Sequence, residues 1–360
     1  MCVNITEVTT YKNNTVEPAI LVSVFAMSAG VLSNCLALMI LVSAYRRFRL
    51  KSKANFLFFA AGLVFTDFLG HVTNGSLALY VYAQHKNWSH FDPHEILCNI
   101  FGVCMVFFGL CPLILGSVMA VERCIGITNP LLHSTKLAPK HMKKLLFLVW
   151  LLAMFVALLP IIVGRHYKVQ ESRSWCFFKI QKLDGLDRCF LLLFSVLGLL
   201  SLFAAMLCNT ITGFTLVKLK MKETRHRQGR SHHFEMICQL LAIMLVSFIC
   251  WGPFLVCFFI IGSRGKNINC ETLLLAVRIA TWNQILDPWV YILLRKAVLK
   301  KIFFISRNCC GYQDIPLDKW NCNSAKGSLQ TPSFSSRTDF RPGTSLRVIT
   351  PDTAIVTPFS

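Results

Sequence analysis

Leu273-Leu274-Leu275-Ala276-Val277-Arg278-Ile279-Ala280-Thr281-Trp282 places a guanidinium inside an otherwise apolar run. Arginine cannot shed its proton there. Holding it at the centre of a bilayer helix costs at least about 2.5 kcal/mol on the mildest scale. The simplest compensation is an anion, supplied by the protein or by a ligand. The run therefore reads as a membrane helix with an anion requirement.

The rest of the chain has the composition of a membrane protein. Of its 360 residues, 54% are hydrophobic and 15% charged, against about 25% charged in a soluble domain. Seven apolar stretches approach or exceed the roughly 20 residues that a crossing needs. They cover 20–44, 55–83, 97–125, 145–164, 189–217, 236–261 and 271–294. The expected fold is an all-α membrane protein, a seven-transmembrane helix bundle over 20–294. Before it, 1–19 is expected to form an extracellular, glycosylated N-terminus. After it come a short amphipathic helix 8 over 295–308 and a cytoplasmic, disordered Ser/Thr-rich tail over 309–360.

Charge sets the orientation. Met1-Cys2-Val3-Asn4 shows no basic region before an apolar core, so the first span is expected to direct its own insertion. Arg46, Arg47, Arg49, Lys51 and Lys53 follow span one. Lys136, Lys140, Lys143 and Lys144 lie between spans three and four, and Lys218, Lys220, Lys222, Arg225, Arg227 and Arg230 follow span five. The positive-inside rule puts these loops in the cytoplasm, the N-terminus outside and the C-terminus inside. The net charge of +20 is largely this topology signal, and no soluble basic face for nucleic acid is evident. The sequons at Asn4, Asn13 and Asn87 fall on the outer side, whereas Asn74-Gly75-Ser76 lies within span two, out of reach of glycosylation.

Most of the sixteen cysteines lie within spans and read as small hydrophobes. Cys98 and Cys176 stand on the outer, oxidising side and are candidates for a disulfide. Cys2 and Cys270 are also expected outside and are a second candidate pair. In 295–307, Val298, Leu299, Ile302, Phe303 and Ile305 share a face opposite Arg295, Lys296, Lys300 and Lys301, as in a helix lying in the inner interface among membrane lipids. Cys309-Cys310 follows and is either palmitoylated or unmodified. The Ser, Thr and Pro of 321–360 cannot build a core. That segment is either a phosphorylation substrate or a passive solvated tail.

Polar groups within spans are costly and invite a shared explanation. Asn34 in span one, Asp67 in span two, and Asn283 and Asp287 in span seven can satisfy one another if those spans are neighbours, with water or a cation. The group either only fixes packing or also takes part in a switch. Glu122-Arg123-Cys124 closes span three at its inner end. Arg123 either snorkels to the interface or pairs with Glu122 as a charge lock. Pro253, beside Trp251, and Pro288, after Asp287, each remove a helical hydrogen bond and place pivots in spans six and seven.

Together, Asn34, Asp67, Glu122-Arg123-Cys124, Trp150, Trp251-Gly252-Pro253, Asp287-Pro288-Trp289-Val290-Tyr291 and the Cys98/Cys176 pair resemble the rhodopsin-class G-protein-coupled receptors over residues 20 to about 310. The outer-loop runs Gly164-Arg165-His166-Tyr167 and Ser174-Trp175-Cys176-Phe177, with Arg278 to Trp289 in span seven, are similar to the prostanoid receptors. Ser174 stands where Thr is usual in the subtype most alike. Span five lacks the Pro and Tyr of the wider class, and Asp287-Pro288 replaces Asn-Pro.

The resemblance implies a receptor with no catalysis of its own, no cofactor and no metal. It implies a prostaglandin ligand, a lipid carboxylate held by the planar fork of Arg278 with Tyr82 and Ser174. Thr281, His71 and Ser23 would meet ring hydroxyls, and Trp251 would sit under the apolar chain. Arg165, Lys168 and Arg173 either attract the anion or are solvated. Glu122, Arg123, Asp67, Asn34, Asn283, Asp287, Pro288 and Tyr291 would form the activation switch. The implied partners are a heterotrimeric G protein, by subtype likeness of the Gq type that works through phospholipase C and calcium, and receptor kinases and arrestin at the tail. The implied location is the plasma membrane. The nearest competitor is a prostaglandin E receptor of the calcium-raising type. An anion transporter would bind a translocated anion at Arg278, but internal repeats are absent. A retinal photoreceptor would need a lysine in 271–294, which has none.

Overall fold

The computed structural model describes residues 18–48, 54–131, 139–222 and 230–293. Seven long helices account for most of them: Pro18–Phe48, Ala54–Ala83, Ile96–Thr128, Pro139–Ile162, Gly185–Lys222, Arg230–Arg264 and Cys270–Leu293. These are spans one to seven. Six are long and apolar enough to cross a membrane. The helix Cys270–Leu293 has 24 residues but carries Glu271, Arg278 and Asp287, which lower its apolarity.

Several helices outrun their apolar runs. Span five continues to Lys222, span six begins at Arg230, and span four begins at Pro139. A helix need not stop where the hydrocarbon does, because its hydrogen bonds are internal. Span four ends at Ile162, two residues short of the expected Gly164, whose φ of 75° suits a residue without a Cβ.

Spans one and two pack closely, as do three with five and five with six; span seven contacts six, one and two. Two buried apolar clusters fill the bundle. The outer one joins Val81, Phe101, Trp175, Phe177, Phe194, Trp251, Phe258, Ala276 and Ala280. The inner one joins Ala37, Leu57, Leu63, Leu115, Met119 and Met142. Phe58, Phe65 and Trp150 flank the latter, and the indole Nε1 of Trp150 donates to Thr66 Oγ1 at 3.2 Å.

Two features of the outer face are invisible in hydropathy. A one-turn helix, Trp88–Phe91, precedes span three. A hairpin pairs Lys168 with Phe177 and Val169 with Cys176. Asn87, the outer-loop sequon, is exposed at the start of the short helix. Cys2, Asn4, Asn13, the amphipathic helix over 295–308, Cys309, Cys310 and the tail all lie outside the described residues, as does the side chain of Tyr291.

Candidate functional site

The outer loop is held down over the bundle. A Cys98–Cys176 disulfide, with Cα atoms 5.4 Å apart, staples the hairpin to span three. The Tyr167 hydroxyl donates to the Ala157 carbonyl at 2.7 Å, and its amide donates to Asn99 Oδ1 at 2.9 Å. Its ring lies where a side chain on Gly102 would project, so only glycine fits there. Burial pushes the Tyr167 phenol above its ordinary pKa, so it remains a hydrogen-bond donor.

The outer-loop cations are mostly spoken for. Arg165 pairs with Asp184 at 2.6 Å and Lys168 with Glu95 at 2.6 Å. Lys179 bridges Asp184 and Asp187 at 3.5 and 3.2 Å. The Arg165 hydrogen bond holds Asp184 below the usual carboxylate range, and the Asp187 hydrogen bond raises Lys179. Neither Arg165 nor Lys168 is simply solvated, because each has an acid within reach. Arg173 is exposed, with φ of 54°, and its carbonyl accepts from the Trp88 indole at 2.8 Å.

The expected ligand-binding residues lie on spans one, two, six and seven and, for Ser174, in the outer loop itself. Arg278 is half-buried, and among the described residues it has no hydrogen-bond or ion-pair partner. Its helical neighbours Ala276 and Ala280 belong to the cluster that holds Trp251, Val81 and Trp175. Val81 and Trp175, which flank Tyr82 and Ser174 in the sequence, belong to the same cluster. Ser174 is buried and hydrogen-bonded to Ser172 Oγ at 2.9 Å. Tyr82 is buried with the Lys86 ammonium 4.8 Å from its ring centroid. Thr281 donates its hydroxyl to the Val277 carbonyl at 3.0 Å, so toward a ligand it is an acceptor. Ser23 is half-buried on span one.

Unpaired polar atoms mark the interior. The Nε2 of His71 and the indole Nε1 of Trp251 are buried without a hydrogen-bond partner. The His71 ring presses on Gly30, where a Cβ would collide with it. Sequence reading missed Asn74, whose Oδ1 is buried and likewise unpartnered. The signal was present: positions 67, 71, 74 and 78 follow the i, i+4, i+7, i+11 spacing of one helix face.

Deeper lies the expected switch group, which the structure brings together in part. Asn34 Nδ2 donates to the carbonyls of Gly30 at 2.9 Å and Gln284 at 3.0 Å, joining spans one and seven. Gln284 Nε2 donates to the Phe108 carbonyl at 2.7 Å, adding span three. Asn283 Nδ2 donates to Asp287 Oδ2 at 3.0 Å. Both Asp67 oxygens, Asn34 Oδ1 and Asn283 Oδ1 are buried without partners. The group has acceptors in excess and needs donors, such as water or a cation. A cavity of about 40 Å³ touches Asn283, Asp287, Ser117 and Ser247 and is large enough for water. Among the described residues no cluster of three or more His, Cys, Asp or Glu is arranged for a metal. Glu122 is buried, Arg123 half-buried, and both are engaged in interactions. Pro288 is buried in span seven.

A seven-helix bundle, an outer loop stapled to span three and a polar core across spans one, two and seven define a receptor architecture. Residues 33–291 match the family model described as 7 transmembrane receptor (rhodopsin family). The chain belongs to that family, a multi-pass membrane receptor family and not one of enzymes. Within it the chain is a prostanoid-type receptor. It is 58% identical to the prostaglandin F2-alpha receptor of Homo sapiens over 316 residues, 87% of this chain and 88% of that protein. Identity to the Mus musculus prostaglandin F2-alpha receptor is 55%, over 87% of this chain and 86% of that one. The prostaglandin E2 receptor EP1 subtype of Canis lupus familiaris is 39% identical, over 78% of this chain and 80% of that protein.

Proposed function

We propose that this chain is a plasma-membrane receptor for prostaglandin F2-alpha, with its N-terminus outside and C-terminus inside. It activates a heterotrimeric G protein of the Gq type and thereby phospholipase C and calcium release. Receptor kinases and arrestin act on its tail, Cys309 and Cys310 are palmitoylated, and Asn4, Asn13 and Asn87 are glycosylated. One observation carries the reading: Arg278 is a permanent cation within an apolar helix, with no anionic partner among the described residues. A ligand carboxylate supplies that partner, with Tyr82 and Ser174 beside it. His71, Thr281 and Ser23 meet the ring hydroxyls, and Trp251 supports the apolar chain. Agonist binding is then relayed through Asn34, Asp67, Asn283, Asp287, Pro288 and Tyr291 to Glu122 and Arg123.

The F2-alpha assignment rests on the higher identity to receptors of that name than to the E2 receptor. In cells expressing the chain, a panel of prostanoids read by calcium and cyclic AMP should rank prostaglandin F2-alpha first, through calcium. A higher rank for prostaglandin E2 would favour the second reading. Arg278→Ala should weaken binding by about 10- to 150-fold, the worth of one charge-assisted hydrogen bond of roughly 1.5–3 kcal/mol. The methyl ester of the ligand should lose a similar factor on the unaltered receptor. Normal binding in both experiments would remove the carboxylate assignment.

A further inference from the structure

Asn74 of span two is half-buried, and its Oδ1 is enclosed without a hydrogen-bond partner. Its helical neighbours show which way it faces. A Cβ on Gly70 would meet Phe108 of span three, a Cβ on Gly75 would meet Met27 of span one, and His71 packs on Gly30 of span one. On the helical wheel Asn74 lies roughly 40° from Gly70 and roughly 60° from His71. It therefore points between spans three and one, into the bundle, on the same face as Asp67. Span two also contacts span seven, which closes that side.

Depth follows from a ladder of contacts. Gln284 Nε2 reaches the Phe108 carbonyl at 2.7 Å, and Phe108 packs at Gly70. Gly70 and Gln284 thus share a level, with Trp251 packed on Gly109 beside them. Asn74 stands one helical turn outward of Gly70, roughly 6 Å. On span seven, which runs in the opposite direction, the same step leads from Gln284 to Ala280 and Thr281. The Thr281 hydroxyl already donates to the Val277 carbonyl. The wall at this level therefore offers acceptors, Asn74 Oδ1 and Thr281 Oγ1, and needs donors.

We propose that Asn74 selects prostaglandins with a hydroxyl at both oxygenated ring positions, by accepting a hydrogen bond from one of these hydroxyls at Oδ1. The inference rests on the reading of this site as a prostaglandin pocket. An F-type ring carries two hydroxyls, whereas an E-type ring has a ketone in place of one. A hydroxyl supplies the hydrogen that the amide oxygen lacks. A ketone supplies none, so the oxygen stays unfilled whichever way the amide turns. Leaving a buried acceptor unfilled costs its full desolvation. A site that hydrogen-bonds a ligand hydroxyl rejects a ligand without it for the same reason.

The test is a binding cycle on the full-length receptor in membranes of expressing cells. The ligands are prostaglandin F2-alpha, its two analogues that each lack one ring hydroxyl, and prostaglandin E2. The receptors are the unaltered chain and Asn74→Leu, an apolar side chain of similar size; Asn74→Ala carries the same cycle if the Leu variant does not reach the surface. Asn74→Leu should bind prostaglandin F2-alpha about 5- to 150-fold more weakly, the cost of leaving one buried partner unpaired. Prostaglandin E2 should lose less, so the preference between them narrows. One of the two analogues should bind both receptors alike, because the bond it lacks is the bond the variant lacks. Additive losses with both analogues, or an equal loss for prostaglandins F2-alpha and E2, overturn the proposal, since a merely structural role weakens every ligand alike. Prostaglandin F2-alpha binding that depends on Arg278, with additive cycles, removes this inference alone. Failure of prostaglandin F2-alpha to bind the unaltered receptor removes the ligand reading and this inference with it.

Discussion

Gly30→Ala tests whether the His71 ring is held where the bundle needs it. An added Cβ would overlap the ring at Cγ, Cδ2 and Nε2. His71 is only 4% exposed, so the ring has little room to retreat. Overpacking of this kind costs about 1–3 kcal/mol, while Ala in place of a helical Gly returns about 0.5–1 kcal/mol. The net expectation is a loss of about 0–2.5 kcal/mol. At roughly 2–4 °C per kcal/mol for a chain of a few hundred residues, the apparent melting temperature should fall by up to about 10 °C. The assay is residual radioligand binding after timed heating in detergent, at one heating rate because such unfolding is irreversible. His71→Ala alone should also destabilise, by opening a cavity. In the double variant the new methyl enters the space the ring has left, so the two losses should cancel in part, with a coupling of about 1–2 kcal/mol. Strict additivity of the two single variants in the double variant would refute the contact.

Cys98→Ser and Cys176→Ser should each abolish surface binding, because either frees the hairpin from span three; cell-surface binding checks this, and normal binding in one of them would separate the bridge from the fold. In the outer loop, Asp184 is held below its usual pKa, so its contribution is fully present above the unfolded carboxylate range and is lost as pH falls through the depressed value. Asp184→Asn should therefore lower the protection of the hairpin amides at pH 7, where the ion pairs with Arg165 and Lys179 are formed, and make little difference once the native carboxyl is itself protonated well below about pH 4, measured by hydrogen exchange at both pH values.

Much of the bundle was legible because a long apolar run has one outcome in a bilayer. Helix ends were not, since helices continue into water wherever their own hydrogen bonds allow. The last span was legible as an apolar run although Glu271, Arg278 and Asp287 lower its apolarity. The hairpin was missed because its two-residue strands carry no alternation to read; Tyr167 and the disulfide hold it. Asn74 was set aside as an inaccessible sequon, although its spacing from Asp67 and His71 already put it on their helix face.

The sequence by itself determined seven helical spans and a cation in the last of them. These are local consequences, because a chain in hydrocarbon must satisfy its backbone within each segment. Only the tertiary structure decided which polar side chains find partners. Asn34 Nδ2 meets a carbonyl 250 residues away. Arg165 and Lys168 are paired by acids, while His71, Asn74 and Asp67 keep buried atoms unpaired. Partnering depends on how separate helices are packed together, and no single span specifies that.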